Sequence, residues 1–348
     1  MKTISICLFV LFFFTTSVNG QKEPKIDYEK AYSSALKEYT SFEKEHGHNF
    51  QTKNVNMHYY LWGNKTGKPF IWVHGTFSNG TEILDFVDTL VNQNYFVVAI
   101  DYYGHGLTSK PNKEVSIYDV ADDMNALLEH LNIKQTIVGG WSRGGIIAAA
   151  FYQTYPAKVK GLILEDGGGA SFLKPRQLLD EEVLKERYEK MYASSNDTLF
   201  NSQFEAFKFY YSPDLNDSQY WWFYLLKQSK NGQWGLNIGL KEWLGQTNAQ
   251  DGLRNIYKTT TAPLFEASGL LFNPKIAFRN LNIPILIFDP QGDDTDGFFN
   301  LSNQYEELKN LHPNQIKLLH FSECGHAVHY EQLEQFKVEI ISFLNNIK

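Results

Sequence analysis

Gly140-Trp141-Ser142-Arg143-Gly144 is the stretch whose reading decides the fold. An apolar run, Thr136-Ile137-Val138, comes before it, with Gly139 between. A helix-like run, Gly145 to Phe151, follows. Strand, tight turn and helix in that order make G-x-S-x-G a nucleophile elbow, with the Ser142 hydroxyl exposed on the bend. Gly140 and Gly144 leave room that side chains would fill. The helix N-terminus offers free N–H groups to a developing oxyanion. The motif alone is weak, because small residues crowd many structural turns, and its setting gives it content.

The pattern continues outward. Val55 to Trp62, Phe70 to Val73, Tyr95 to Ile100, Gly161 to Leu164, Pro284 to Phe288 and Ile316 to Phe321 read as strands. Residues 26–47, Ser116 to Leu131, Glu306 to Leu311 and Gln332 to Ile347 read as helices. Alternation of this kind predicts an α/β protein, a mostly parallel sheet with helices on both faces. Residues about 170–280 break the rhythm. They have no strong strand signal and are crowded with aromatics, among them Phe207, Tyr211, Trp221 and Trp222. This segment is expected to be a helical lid inserted in a single domain spanning 21–348. Its rings either wall an apolar acyl pocket or fill a core.

In open α/β sheets, function gathers at the carboxyl ends of strands. His74-Gly75-Thr76-Phe77 follows one strand, and the backbone N–H of Thr76, or of Phe77 in its place, can face an oxyanion beside that of Arg143. Asp101 through Ser109 reads as a structural loop. Gly292-Asp293-Asp294 follows the strand opened by Pro284. A carboxylate there can hold a histidine in the right tautomer. Asp293 is the first choice, Asp294 its rival, and Asp166, at another strand end, a further alternative. His326, in Cys324-Gly325-His326 after the last strand, is the candidate general base. His320 and His329 read as packing or surface residues, and Cys324 as a buried packing residue.

Together these pieces resemble the α/β-hydrolase family with a helical lid. The resemblance rests on His74-Gly75, Asp101 to Ser109, Gly140 to Gly144, Pro284 to Asp293 and Gly325-His326. It implies a triad in the order Ser142, Asp293, His326. The family places its acid about nine residues after the proline that opens the strand, which selects Asp293. A glycine often precedes that acid by two or three residues. Pro290-Gln291 stands there instead, which keeps Asp294 in play.

The remaining features set limits. The 348 residues are 43% hydrophobic, enough for a sizeable core, and carry a net charge of −7 with no basic patch, which argues against nucleic acid as a partner. Lys2, the apolar stretch Ile4 to Phe14, and Val18-Asn19-Gly20 predict a signal peptide over 1–20 and a secreted or periplasmic protein. That stretch is short of the ~20 residues that span a bilayer. Sequons begin at Asn64, Asn79, Asn196, Asn216 and Asn300. The expected activity is serine esterase chemistry on a small-molecule acyl substrate, with no metal or organic cofactor. A peptidase or amidase is the alternative within enzymes. A binding or receptor protein on the same scaffold is the alternative outside them.

Overall fold

A computed structural model describes residues 26–193, 198–215, 218–292 and 300–347. The chain opens with α1 (Tyr28–His46), β1 (Gly47–Gln51), β2 (Asn56–Trp62), β3 (Lys68–Val73), α2 (Val87–Asn92) and β4 (Tyr95–Ile100). α3 (Ile117–His130), β5 (Thr136–Trp141), α4 (Arg143–Thr154) and β6 (Val159–Glu165) follow. A long insertion then carries α5 (Leu173–Leu178), α6 (Glu181–Ala193), α7 (Gln203–Tyr210), α8 (Trp222–Leu225), β7 (Leu226–Gln228), β8 (Trp234–Leu236), α9 (Leu240–Leu244), α10 (Ala249–Tyr257), α11 (Leu264–Leu270) and α12 (Pro274–Ala277). β9 (Ile285–Pro290), α13 (Ser302–Leu311), β10 (Ile316–Phe321), α14 (Val328–Glu331) and α15 (Leu333–Leu344) close the chain.

The described strands form one eight-stranded sheet in the order β1-β2-β4-β3-β5-β6-β9-β10, with β7 and β8 as a separate hairpin. β2 runs antiparallel to both neighbours, and the pairs from β4 to β10 are parallel. Order reverses at β3, which pairs β4 on one side and β5 on the other. In open α/β sheets ligands bind outside the carboxyl ends of the strands at such a switch point. One face of the sheet is covered by α3 and α4 through Ile117, Met124, Ile147 and Phe151, and the other by α15 through Phe336 and Ile340. Cys324 is buried in the second layer. Among the described residues no helix is long and apolar enough to cross a membrane.

Local chemistry explains the boundaries. Ser116 and Asp119 form a reciprocal capping box that starts α3. Asn79 accepts from Thr81 N–H and is 3% exposed, so that sequon is a buried turn cap. Two features depart from the sequence reading. Residues 47–51 form an edge strand, and the hairpin of β7 and β8 interrupts the helical insertion.

Several of the segment's aromatics take the second of their two expected roles, filling a core. Phe207, Tyr210 and Phe223 form a separate cluster with Ala35, and Tyr32, Tyr39, Tyr211 and Trp222 pack against it. Phe207 stacks on Phe223 at 5.6 Å, and Tyr32 meets both rings edge-on. These rings clamp α1 to the body as core.

A buried polar link reinforces that docking. His58 binds Asp101 through Nδ1 and Glu43 of α1 through Nε2, each at 2.8 Å. Burial resists the imidazolium, but the two carboxylates outweigh it and push its pKa up to about 9. A raised histidine contributes stability that is complete below its ordinary 6.5 and is lost as pH rises through about 9. The melting-temperature advantage of the parent over His58→Gln is therefore expected to shrink between those two pH values. A gap that stays constant there would show that His58 does not titrate in this window.

Candidate active site

The β5–α4 turn holds Ser142 at φ 55°, ψ −121°, a left-handed conformation that a serine does not choose alone. Its surroundings impose it. Ser142 N–H donates to Glu165 O of β6 at 2.8 Å, and a Cβ on Gly144 would collide with the carbonyl of Val73 in β3. Gly140 is equally confined, its Cβ falling 2.5 Å from the Gly144 backbone. The elbow expected from the motif is thus present, pressed between the ends of both neighbouring strands.

Ser142 Oγ lies 2.9 Å from His326 Nε2, and His326 Nδ1 lies 2.5 Å from Asp166 Oδ2. The structure therefore brings Ser142 and His326 together, with Asp166 at the histidine's far nitrogen. Asp293 and Asp294, the carboxylates favoured from the sequence, lie outside the described residues. Asp166 follows β6 at φ 40°, its N–H donating to Phe288 O and its Oδ1 accepting from the Tyr305 hydroxyl at 3.3 Å. Burial raises its pKa, against the pull of His326.

The loop after β3 runs alongside. Glu82, buried, accepts from Gly75 N–H at 3.0 Å and from the Trp72 indole at 2.8 Å. Burial pushes its pKa up to about 7. Phe77 is held at φ 65°. Arg143 Nε–H donates to Thr76 Oγ1 at 2.9 Å, which joins the two residues expected to supply oxyanion donors. None of the described residues offers a backbone acceptor to the N–H of Thr76 or Arg143. His74, buried beneath, has its pKa lowered to about 4 by burial, so its ring is neutral.

Several supports escaped the sequence reading. The Trp141 indole donates to His326 O at 2.7 Å. Glu165 accepts from the backbone N–H of His329 at 2.8 Å and binds its ring, so the turn after His326 is pinned to the end of β6. His329 is buried; burial lowers its pKa, but the Glu165 carboxylate outweighs this and the net shift is upward. His320, half exposed, binds Asp289 and Glu306 away from Ser142. Of these, only Glu165 had a signal, its position at a strand end. Among the described residues no group of three or more His, Cys, Asp or Glu side chains could hold a metal ion.

A family model of the alpha/beta hydrolase fold matches residues 68–333. A human serine hydrolase-like protein is 31% identical over 107 residues, 30% of this chain and 52% of its own length. A proline iminopeptidase of Arabidopsis thaliana is 33% identical over 120 residues, 32% of this chain and 30% of its own. The chain thus spans about half or less of the curated relatives it matches here. Among solved structures, a carboxylesterase of the thaumarchaeon Nitrososphaera gargenis superposes with TM-score 0.56 at 19% identity, covering 86% of this chain and 98% of the other. E-2-(acetamidomethylene)succinate hydrolase superposes with TM-score 0.59 at 18% identity over the same shares. At such identities these likenesses speak for the fold.

The crowding at the elbow makes a direct prediction. Gly144→Ala forces a methyl into Val73 O, where backbone must move. It is expected to destabilise by about 3 kcal/mol or more. Urea unfolding of the variant beside the parent measures it, and equal midpoints would show that the elbow is loosely packed.

Proposed function

The chain belongs to the alpha/beta hydrolase fold family, and on that footing we propose that it is a serine hydrolase that cleaves an acyl ester through an acyl-enzyme on Ser142. The observation that carries this reading is the continuous relay from Ser142 Oγ to His326 Nε2 at 2.9 Å and from His326 Nδ1 to Asp166 Oδ2 at 2.5 Å. His326 takes the proton as Ser142 Oγ attacks the carbonyl carbon. The N–H groups of Thr76 and Arg143 receive the negative oxygen of the tetrahedral intermediate. His326 then protonates the leaving alcohol, and water repeats the cycle to free the acid. Asp166 orients His326 and stabilises its cation.

Phe207, Tyr211 and Trp222 pack in the cluster that docks α1, so the acyl pocket is not assigned to them. An ester is the first substrate class because its alkoxide leaves with the least help. An amide is the harder substrate for the same relay. Residues 1–20, outside the described residues, are proposed to direct export.

A fluorophosphonate probe is expected to label the parent and not Ser142→Ala, and that variant should lose hydrolysis of acyl esters while keeping its fold. Wild-type turnover in the variant would remove Ser142 from the mechanism. Asp166→Asn is expected to reduce kcat by roughly 10³–10⁴-fold, because the wrong histidine tautomer is then favoured. Asp293→Asn and Asp294→Asn should lose far less. A larger loss at Asp293 would return the acid to the end of β9.

A further inference from the structure

The side chain of Arg143 is not used by the mechanism above, yet it is nearly enclosed. Its Nη2 lies 2.6 Å from Glu266 Oε2 in α11, with the two side chains 11% and 5% exposed. Its guanidinium sits over the Phe265 ring at 5.6 Å. Nε donates to Thr76 Oγ1 at 2.9 Å. One planar group therefore ties together the helix that begins after Ser142, the loop after β3, and the insertion. A second tie lies one residue further along that loop. Asn237, after β8 and 9% exposed, donates Nδ2–H to Phe77 O at 3.2 Å. The peptide between these anchors is the strained one, with Phe77 at φ 65°.

We propose that Glu266 and Asn237 are positioning residues by which the inserted segment sets the geometry of the oxyanion hole. The proposal rests on the hydrolase reading and adds a role for the insertion within it. Glu266 fixes the plane of the Arg143 guanidinium, and the rigid fork of that group passes the constraint to the Thr76 hydroxyl. Asn237 fixes the carbonyl of the next residue, Phe77. Together they hold the Thr76 N–H at the angle an oxyanion requires. A buried ion pair adds little net stability over a well-packed apolar pair, whereas its direction is specific. An arginine here suits a positioning role better than a packing role.

Hydrogen-bond donors aimed at the oxyanion act in the transition state, so their misplacement lowers kcat and leaves KM unchanged. Glu266→Gln and Asn237→Ala each attack one anchor. With p-nitrophenyl acetate, each variant is expected to lose about 10–100-fold in kcat, part of the loss caused by removing a whole donor. Phenylboronic acid adds to the serine as a tetrahedral anion, and its inhibition constant should weaken in step. Glu266→Asp, which keeps the charge, should recover part of the loss. If Glu266→Gln does not fold, Asn237→Ala decides by the same two readouts. Unchanged kcat, or a kcat loss that the boronic acid does not follow, overturns the positioning role. A parent that neither reacts with a fluorophosphonate nor hydrolyses the ester overturns the hydrolase reading, and the positioning role with it. A labelled, active parent beside unchanged variants overturns the positioning role alone.

Discussion

A serine held at φ 55° depends on its neighbours for every degree of that angle. The ends of β3 and β6 supply the constraint. Gly144 lies against the Val73 carbonyl of β3, Ser142 N–H is taken by Glu165 O of β6, and Gly167 lies against the Ser142 carbonyl. These contacts leave no slack in the turn, so fixing Ser142 also fixes the residues just past each flanking strand. Beyond β3 that is His74. Beyond β6 it is Asp166. Three adjacent strands thus deliver the hydroxyl, the loop beside it and the carboxylate behind the histidine, because all three ends pack on one bend.

Among the described residues the carboxylate that meets His326 is Asp166, while Asp293, nine residues after Pro284, lies outside them. β6 and β9 are neighbours in the sheet, and adjacent strands lie about 4.8 Å apart. An acid after either strand is near enough to meet a histidine that comes after β10. Nine residues from Pro284 is a distance along one strand and carries no information about the neighbouring turn. What aims Asp166 is local: φ 40°, an N–H tied to Phe288 O, and a hydroxyl from Tyr305, which is 139 residues away in sequence. The Glu165-Asp166-Gly167-Gly168-Gly169 run did mark a strand end with a tight turn, which is why Asp166 stood among the alternatives.

Elements that are buried by their own pattern were legible. β4 spans the residues read from the sequence, and β3, β5, β6, β9 and β10 each contain or overlap theirs, because apolar runs between turn residues leave few other solutions. α3 was legible to within a residue at its capping box. β1 was not, since Gly47-His48-Asn49-Phe50-Gln51 is a polar edge held by pairing with β2 rather than by burial. The three-residue strands of the hairpin are too short to show a period. The destination of the aromatics was hidden for another reason. A ring's neighbours depend on the tertiary fold, and one partner of Phe207 is Tyr32, on α1, far from it in sequence.

Beneath the strand ends, three buried carboxylates share one habit. Glu82 takes the N–H of Gly75, Asp101 takes those of Gly80 and Leu107, and Glu165 takes that of His329. Each anchored loop borders the site. Apolar packing is non-directional and cannot choose between loop conformations of similar volume. A carboxylate that accepts a backbone N–H can, because the bond weakens steeply with angle. Burying those carboxyl groups works against stability unless each is satisfied, and the partners are in place: Trp72 for Glu82, His58 for Asp101, His329 for Glu165. The loops around Ser142 are therefore fixed by bonds whose strength lies in their direction, above a core whose strength lies in its area.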